Sequence, residues 1–372
     1  MAAILKRKTK DGHRYDVSYR GPDGRERSKT WRTRKDAIAF AATVQADLVR
    51  GQWVDPRGAN RTFAAWAAQW LQGDPNKRPK TLACDEDTIR LHLNPTLGAK
   101  ALGSITPNEI RGLVNKWTVK AAPSTVRRRY AVLRAILTTA VEADLIGRSP
   151  CRGIKLPSVE PKAHHVVTPA ELEALAGAVG PEYKALVHVG AMLGLRFSEC
   201  AGLRVRNLDL LRQTISIEES LSEVRGQLIV GRPKSAAGRR SMRMPDRLNA
   251  LLAAHLASRG LTAKNSDEYV FAAPAGGPLR YAAFRSRVWV PACRNAGVTG
   301  LGFHDLRRTA ATVLIASGVD VRTAQNRLGH SDPRLTIGLY AQVSSEADER
   351  AANSIGDHFA NLTPLATRGA TS

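Results

Sequence analysis

The chain has 372 residues, 43% hydrophobic and 24% charged, and a formal net charge of +23. That length allows two or three domains, and the composition allows a normal core in each. No run approaches the roughly 18 apolar residues of a membrane span, and MAAILKRKTK lacks the apolar stretch of a signal peptide, so a soluble cytoplasmic protein is expected.

The positive charge is spread along the chain. Residues 1–60 carry 14 Lys+Arg against 7 Asp+Glu, residues 61–160 carry 16 against 8, and residues 161–372 carry 26 against 18. Every section is positive, as expected if every section lies along one polyanion. Cys84, Cys151, Cys200 and Cys293 are far apart with no C-x-x-C pair, which suggests neither a zinc site nor a disulfide framework. Reduced thiols and a cytoplasmic setting follow.

In chain order, residues 3–31 read as a small antiparallel sheet. Tyr15, Val17 and Tyr19 alternate with polar neighbours, and the turn Gly21–Gly24 leads into a further strand. Thr33 and Asp36 start a helix with the face Ala37, Phe40, Ala41, Val44 and Leu48, closed by Gly51. Lys6, Arg7, Lys8 and Arg14 are the candidate cations for laying a strand face in a DNA groove. Residues 52–61 read as a linker.

From Thr62 to about Asp144 the pattern is helical. One helix starts with Phe63, Trp66 and Trp70, and another runs from Thr81 to about Leu93 and ends at Asn94-Pro95. Thr106, Pro107 and Glu109 spell a capping box with proline at the first helical position, before the stripe Ile110, Leu113, Val114, Trp117. A fourth helix from Ser124 places Val126, Tyr130, Leu133, Leu137, Ala140 and Val141 on one face. Its Arg127, Arg128 and Arg129 project elsewhere and are candidate phosphate contacts. Residues 147–165 have three prolines and no period, and read as an interdomain linker.

Thr168-Pro169-Ala170-Glu171 starts the last domain, which is mostly helical with a β-insert at Thr214–Ile217, Leu228–Val230 and about Arg240–Met244. The fold class is α+β, mostly α: a small N-terminal β-sheet plus helix, a helical domain, then a mostly helical domain with the insert. The boundaries are 1–60, 61–155 and 165–372.

The last domain carries the chemistry. HDLRRT opens a helix with His304 and Arg307 on one face near its N-terminus, and with Leu306, Ala310, Val313 and Leu314 as the apolar face. A helix from Asp320 to Leu328 ends at Gly329, with His330 next. A short helix near Ser331-Asp332-Pro333 carries Tyr340. Upstream, GLRFSEC places Arg196 at the start of a helix with Glu199, and GRPKSAAGRR offers Lys234 beside a hairpin turn. Two guanidiniums suit a phosphodiester that becomes more negative when attacked. A tyrosine supplies a nucleophile, a histidine a base or donor, and a lysine the proton for a leaving 5′-oxygen. Such chemistry needs neither a nucleotide nor a metal.

These strings, in this order and with Tyr340 ten residues after His330, resemble the tyrosine recombinase (phage integrase) family, larger type with an N-terminal arm-binding domain. The resemblance spans about residues 165–345 for the catalytic domain. It likens residues 61–155 to the core-binding domain and residues 1–60 to the arm-binding domain. It implies that Arg196 and Arg307 clamp the phosphate, His304 and His330 assist, Lys234 is the acid, Glu199 supports its neighbours and Tyr340 forms a 3′-phosphotyrosyl link. It further implies core and arm DNA sites, a homotetramer on DNA, DNA-bending and directionality factors, and a nucleoid-associated protein of a bacterial host. Ile355, Phe359 and Leu362 would then contact a neighbouring protomer or close their own core. Phe197 and Cys200 depart from the family's smaller or aliphatic residues, and Arg308 stands where a histidine is frequent. Chromosome-resolving recombinases and type IB topoisomerases share this chemistry, but the former usually lack a counterpart of residues 1–60. A non-catalytic DNA-binding regulator would have a decayed site, and this set is complete.

Overall fold

The computed structural model describes residues 2–10, 12–22, 24–50, 56–160, 165–233, 238–329 and 355. The chain divides into two units, Met1–Pro161 and Lys162–Ser372.

The first unit begins with strands β1 (Ala3–Thr9), β2 (Gly12–Arg20) and β3 (Glu26–Trp31), antiparallel in that order, and helix α1 (Arg34–Val49). Thr33 caps α1 by accepting from the Asp36 N–H, as its sequence suggests. Val17 and Tyr19 are buried, and Phe40 of α1 meets Tyr19 edge-on at 6.0 Å and Trp31 at 5.2 Å. Register sorts the candidate cations onto two faces. Lys6 pairs with Tyr15 and Ile4 with Val17, so Lys6 and Lys8 share the face that α1 covers. Arg7 pairs with Arg14 on the opposite face, where Arg7 also lies 3.4 Å from Asp16. Gly51 lies outside the described residues.

The bundle comprises α2 (Pro56–Ala59), α3 (Phe63–Gln72), α4 (Pro79–Thr88), α5 (Asn94–Leu97), α6 (Pro107–Thr118) and α7 (Pro123–Glu142). The expected linker over residues 52–61 is corrected at its C-terminal half. Pro56–Ala59 is a helical turn, and the Leu102 N–H donates to the Arg61 carbonyl, tying this stretch to the bundle. Asn94-Pro95 does not end its helix either. Residues Ile89–Leu93 widen into a π-turn in which the Asn94 N–H reaches back to the Ile89 carbonyl. The wider turn lets the helical path continue past a proline that has no N–H to give. The capping box at Thr106 and Glu109 is present in both directions, and Ile110, Leu113, Val114 and Trp117 are buried as expected. On α7 the core stripe also includes Val132 and Ile136. Trp66 donates its indole N–H to the Ile136 carbonyl at 2.9 Å inside this core.

The first part of the expected 147–165 linker also belongs to the bundle. Cys151, Ile154 and Leu156 pack against its core, and the Tyr130 hydroxyl donates to the Cys151 carbonyl at 2.8 Å. Burial pushes the Tyr130 phenol up to about 12, so it keeps the proton it donates.

The second unit holds α8 (Pro169–Ala178), α9 (Pro181–Leu193), α10 (Phe197–Ala201), β4 (Leu208–Asp209), β5 (Thr214–Ile217), β6 (Ser220–Val224), β7 (Gln227–Gly231), β8 (Arg240–Arg243), α11 (Asp246–Ser258), α12 (Tyr281–Phe284), α13 (Val290–Asn295), α14 (Phe303–Ala316) and α15 (Val321–Leu328). The β-insert is two small sheets, β4-β5-β8 and β6-β7. Helix α9 runs through the core with Leu186, Val187 and Val189 fully buried, and α14 packs along it. On α14, Val313 is 53% exposed, which corrects its place on the apolar face; it falls at the margin of a stripe set by Phe303, Leu306, Arg307, Ala310 and Ala311. Ile355 is exposed, while Phe359 and Leu362 lie outside the described residues. No helix among the described residues is long and apolar enough to cross a membrane.

Thr106→Ala removes one side of the capping box and is expected to lower the stability of the bundle by about 1 kcal/mol. Urea denaturation followed by tryptophan fluorescence measures it, and an unchanged midpoint would contradict the capping assignment.

Candidate active site

The site is assembled from three backbone positions in the second unit. Gly194 ends α9 with φ +66°, a left-handed conformation that glycine adopts without strain. A Cβ there would fall 2.6 Å from Leu328 Cδ2 and 3.2 Å from Ala310 Cβ, so the chain passes close to both α14 and α15 at this point. Two residues later Arg196 occupies the N-cap of α10. The sequence expectation placed it at or near the start of a helix containing Glu199 and Leu203; the first two positions hold, but the helix ends at Ala201, so Leu203 lies just beyond it.

Glu199 is 2% exposed. Its carboxylate accepts from the Arg196 N–H at 3.0 Å and from Arg196 Nη1 at 2.7 Å. On its other side it accepts from Arg240 Nη2 at 3.1 Å and Nη1 at 3.4 Å. Burial would raise this carboxyl, but the Arg240 charge and hydrogen bonds, with the Arg196 N–H and charge, bring it below the usual carboxylate range. Glu199 is therefore ionised at neutral pH.

Arg307 projects from α14 at 2% exposure. It donates Nη1 to the Gly194 carbonyl at 2.6 Å and Nη2 to the Leu328 carbonyl. Each terminal nitrogen has a second N–H for another acceptor. Burial, then the nearby Arg196 charge, pushes Arg307 down to about 9, so it stays charged at neutral pH. Arg196 Nη2 approaches the Gly329 carbonyl at 3.4 Å. Two guanidiniums, of Arg196 and Arg240, thus hold one carboxylate with that of Arg307 nearby, so positive charge exceeds negative charge among these four groups.

His304 lies one turn before Arg307 on α14, with its ring at the surface edge of the site. Partial burial, followed by the charges of Arg307, Arg308 and Arg196, lowers its pKa. The ring is neutral at pH 7 and can accept a proton. Asp305 caps the helix by accepting from the Gly302 N–H at 2.8 Å and also holds Arg308 at 2.8 Å. The Cys200 thiol is fully buried, which raises its pKa well above the ordinary value, as does Glu199 beside it. It is not a nucleophile.

Residues 165–347 match the pattern of the phage integrase family, and residues 62–118 match the phage integrase N-terminal SAM-like domain. The chain belongs to the phage integrase family of tyrosine recombinases. It is 27% identical to the integrase of Mycobacterium phage D29, across 96% of this chain and 97% of that one. It is 29% identical to a putative prophage phiRv2 integrase of Mycobacterium tuberculosis, across 86% of each. In fold it is similar to the Tn1549 transposon integrase in complex with a circular intermediate DNA, with a TM-score of 0.68 at 20% identity over 79% of this chain and 99% of that one. A lambda integrase dimer bound to a core site aligns with a TM-score of 0.57 at 17% identity over 90% and 94%.

For this integrase-family chain, the structure brings Arg196, Glu199, His304 and Arg307 together as the sequence reading expected. Lys234, His330 and Tyr340 lie outside the described residues. The sequence reading missed Arg240. Its signal was present, since it falls in the expected strand after the Lys234 turn, but one of two adjacent arginines in a basic hairpin reads as solvated. Arg127, Arg128 and Arg129 lie on α7 of the first unit with partners of their own. Arg127 donates to the Pro157 carbonyl, Arg128 is 3.7 Å from Asp85, and Arg129 lies 6.0 Å over the Trp117 ring. No group of three His, Cys, Asp or Glu among the described residues could hold a metal ion.

Glu199→Ala would leave Arg240 buried without its counter-charge, and the expected loss of stability is about 3–5 kcal/mol. Thermal and urea unfolding of the full chain test this; a loss below about 1 kcal/mol, the range of exposed pairs, would contradict the buried hub. The acidic limb of His304 should titrate below 6.5 by NMR, because its neutral form is favoured in the fold. A titration midpoint above 6.5 would reverse that assignment.

Proposed function

We propose that this protein is a site-specific DNA recombinase that cleaves and rejoins strands through a 3′-phosphotyrosyl intermediate on Tyr340, integrating and excising phage or mobile-element DNA. The carrying observation is a cluster of three guanidiniums, two of them bonded to one buried carboxylate, beside a neutral histidine. Such a site stabilises an anion that gains charge during reaction, as an attacked phosphodiester does.

In this reading Arg196 and Arg307 hold the non-bridging oxygens of the scissile phosphate. The Tyr340 hydroxyl gives its proton to a neutral imidazole, His304 or His330, while its oxygen bonds to phosphorus. The P–O5′ bond breaks, and Lys234 gives a proton to the leaving 5′-oxygen. The reverse sequence joins a new strand. The phosphotyrosine keeps the bond energy, so no nucleotide is spent and no metal is called on. Glu199 orients Arg196.

The division of labour follows the charge. Residues 61–155 and 165–372 would hold the core site, and residues 1–60 the arm sites. Arg7 and Arg14, on the open face of the sheet, are better placed for DNA than Lys6 and Lys8 on the face that α1 covers. Arg127, Arg128 and Arg129 would add backbone contacts. Four protomers would exchange strands, in line with the lambda integrase tetramer bound to a Holliday junction, which shares this fold. DNA-bending and directionality factors would set the outcome, in the cytoplasm and on the nucleoid of a bacterial host.

The test is covalent trapping on a nicked duplex carrying the core site. The wild-type chain is expected to form a protein–DNA adduct, Tyr340→Phe none, and Arg196→Ala and Arg307→Ala almost none with DNA binding largely kept. Adducts formed by Tyr340→Phe would show that the nucleophile is another residue.

A further inference from the structure

Three consecutive backbone carbonyls at the end of α15 each meet a different arginine of the site. Arg240 Nε donates to the Arg327 carbonyl at 2.7 Å, Arg307 Nη2 donates to the Leu328 carbonyl, and Arg196 Nη2 approaches the Gly329 carbonyl at 3.4 Å. The two carbonyls before them, of Gln325 and Asn326, are taken by the Gly329 N–H that closes the helix. A helix ends in carbonyls that lack intrahelical partners and carries about half a negative charge there. Gly329, at φ +63°, closes α15 in the left-handed conformation, and the carbonyls at this end face the guanidiniums.

This last turn is fastened to both ends of β8. Arg240, the first residue of β8, reaches the Arg327 carbonyl, and Arg327 in turn donates Nη2 to the carbonyl of Arg243, the last residue of β8, at 3.1 Å. The Arg240 side chain is 7% exposed, and its terminal nitrogens hold Glu199 at 3.1 and 3.4 Å. A guanidinium is planar with donors at fixed angles, so Arg240 sets the spacing between two supports. One is the Glu199 carboxylate that orients Arg196; the other is the row of α15 carbonyls that meets Arg307 and Arg196. The two supports differ in kind. A carboxylate cancels charge, while carbonyls hold a guanidinium in place and leave its full charge for a phosphate.

We propose that Arg240 is a positioning residue for the phosphate clamp, and that it acts by locking the carbonyls at the end of α15 against the Arg196–Glu199 pair. The inference rests on the reading of Arg196 and Arg307 as the groups that hold the scissile phosphate. Arg240 has no part in the bond-making itself: its contacts are Glu199 and the carbonyls of Arg327 and Gly238. If the end of α15 shifts from β8, Arg307 and Arg196 lose their carbonyls and no longer point at the oxygens where negative charge grows.

A neutral scissile group separates a misplaced clamp from a general defect. Replacing one non-bridging oxygen of the scissile phosphate by methyl gives a methylphosphonate, which carries no charge for two guanidiniums to offset. Single-turnover strand cleavage by the full chain is measured on the ordinary and the methylphosphonate duplex, with DNA binding and thermal melting as controls. Arg240→Lys, which keeps the charge but not the planar fork, is expected to slow cleavage of the ordinary duplex about 100-fold with DNA binding largely kept, as for a misplaced catalytic group. Most of that loss should vanish on the methylphosphonate. Arg327→Ala, which releases α15 from one end of β8 only, should show a smaller loss with the same relief, and it carries the comparison if Arg240→Lys fails to fold. An equal loss on both duplexes, or no loss on either, would overturn the proposal. Arg307→Ala, measured alongside, tests the underlying reading by itself: its defect must also be relieved on the neutral duplex, and if it is not, Arg307 does not clamp the phosphate charge whatever Arg240 does.

Discussion

A carboxylate that is 2% exposed must be fully compensated, and Glu199 takes its compensation from two guanidiniums and a backbone N–H on opposite sides. The rest of the site hangs from that arrangement. Arg196 is oriented by it from the N-cap of α10, and Arg240 is drawn in from β8. Arg307 comes from α14 without a carboxylate of its own and is held by the carbonyls of Gly194 and Leu328. One negative charge cannot offset three positive ones. The remaining charge is a standing electrostatic cost in the DNA-free protein, and burial with mutual repulsion is what brings Arg307 down to about 9. A site of this kind is stabilised when a phosphate enters, which is how preorganised charge favours the transition state.

A wall of aromatic rings backs the site. Phe197 follows Arg196 in sequence and Phe303 precedes His304, and the two rings meet edge-on at 5.4 Å. Phe284 lies 5.1 Å from Phe197, and Trp289 lies 5.2 Å from Phe303, with its indole N–H satisfied by the Leu301 carbonyl. The clamp and the histidine thus rest on a shared wall of rings. Packed aromatic side chains are close to rigid, so neighbouring groups keep their spacing when one of them binds. Phe197 is a member of that wall, in contact with the rings of Phe284 and Phe303. Thr309, one turn after Asp305, accepts from the Val167 N–H at 3.0 Å and fixes the entry to the unit against α14.

Local chemistry was the readable part of the sequence. Thr106 with Glu109 and Thr168 with Glu171 form capping boxes because both partners lie within four residues, and the sheet of β1, β2 and β3 follows from alternation around Val17 and Tyr19. Arg196, Glu199, His304 and Arg307 were found because residue type and order carry the chemistry. Features decided by distant contacts were not legible. Pro95 ends a helix by local rules, yet the π-turn before it carries the chain onward. The turn Pro56–Ala59 reads as linker until its link to Leu102 through Arg61 is visible. Arg240 is the sharpest case. Nothing near it in sequence marks it as buried, because its partners Glu199 and Arg327 are 41 and 87 residues away.

The central claim is that the charge converging on Glu199 is a place for one phosphodiester. The most direct measurement is a crystal structure of the full chain on duplex DNA carrying its core site. The expected result has non-bridging oxygens of one phosphate within about 2.7–3.2 Å of both Arg196 and Arg307. A duplex whose phosphates pass these two guanidiniums without contact, or a protein carboxylate filling the space between them, would contradict it.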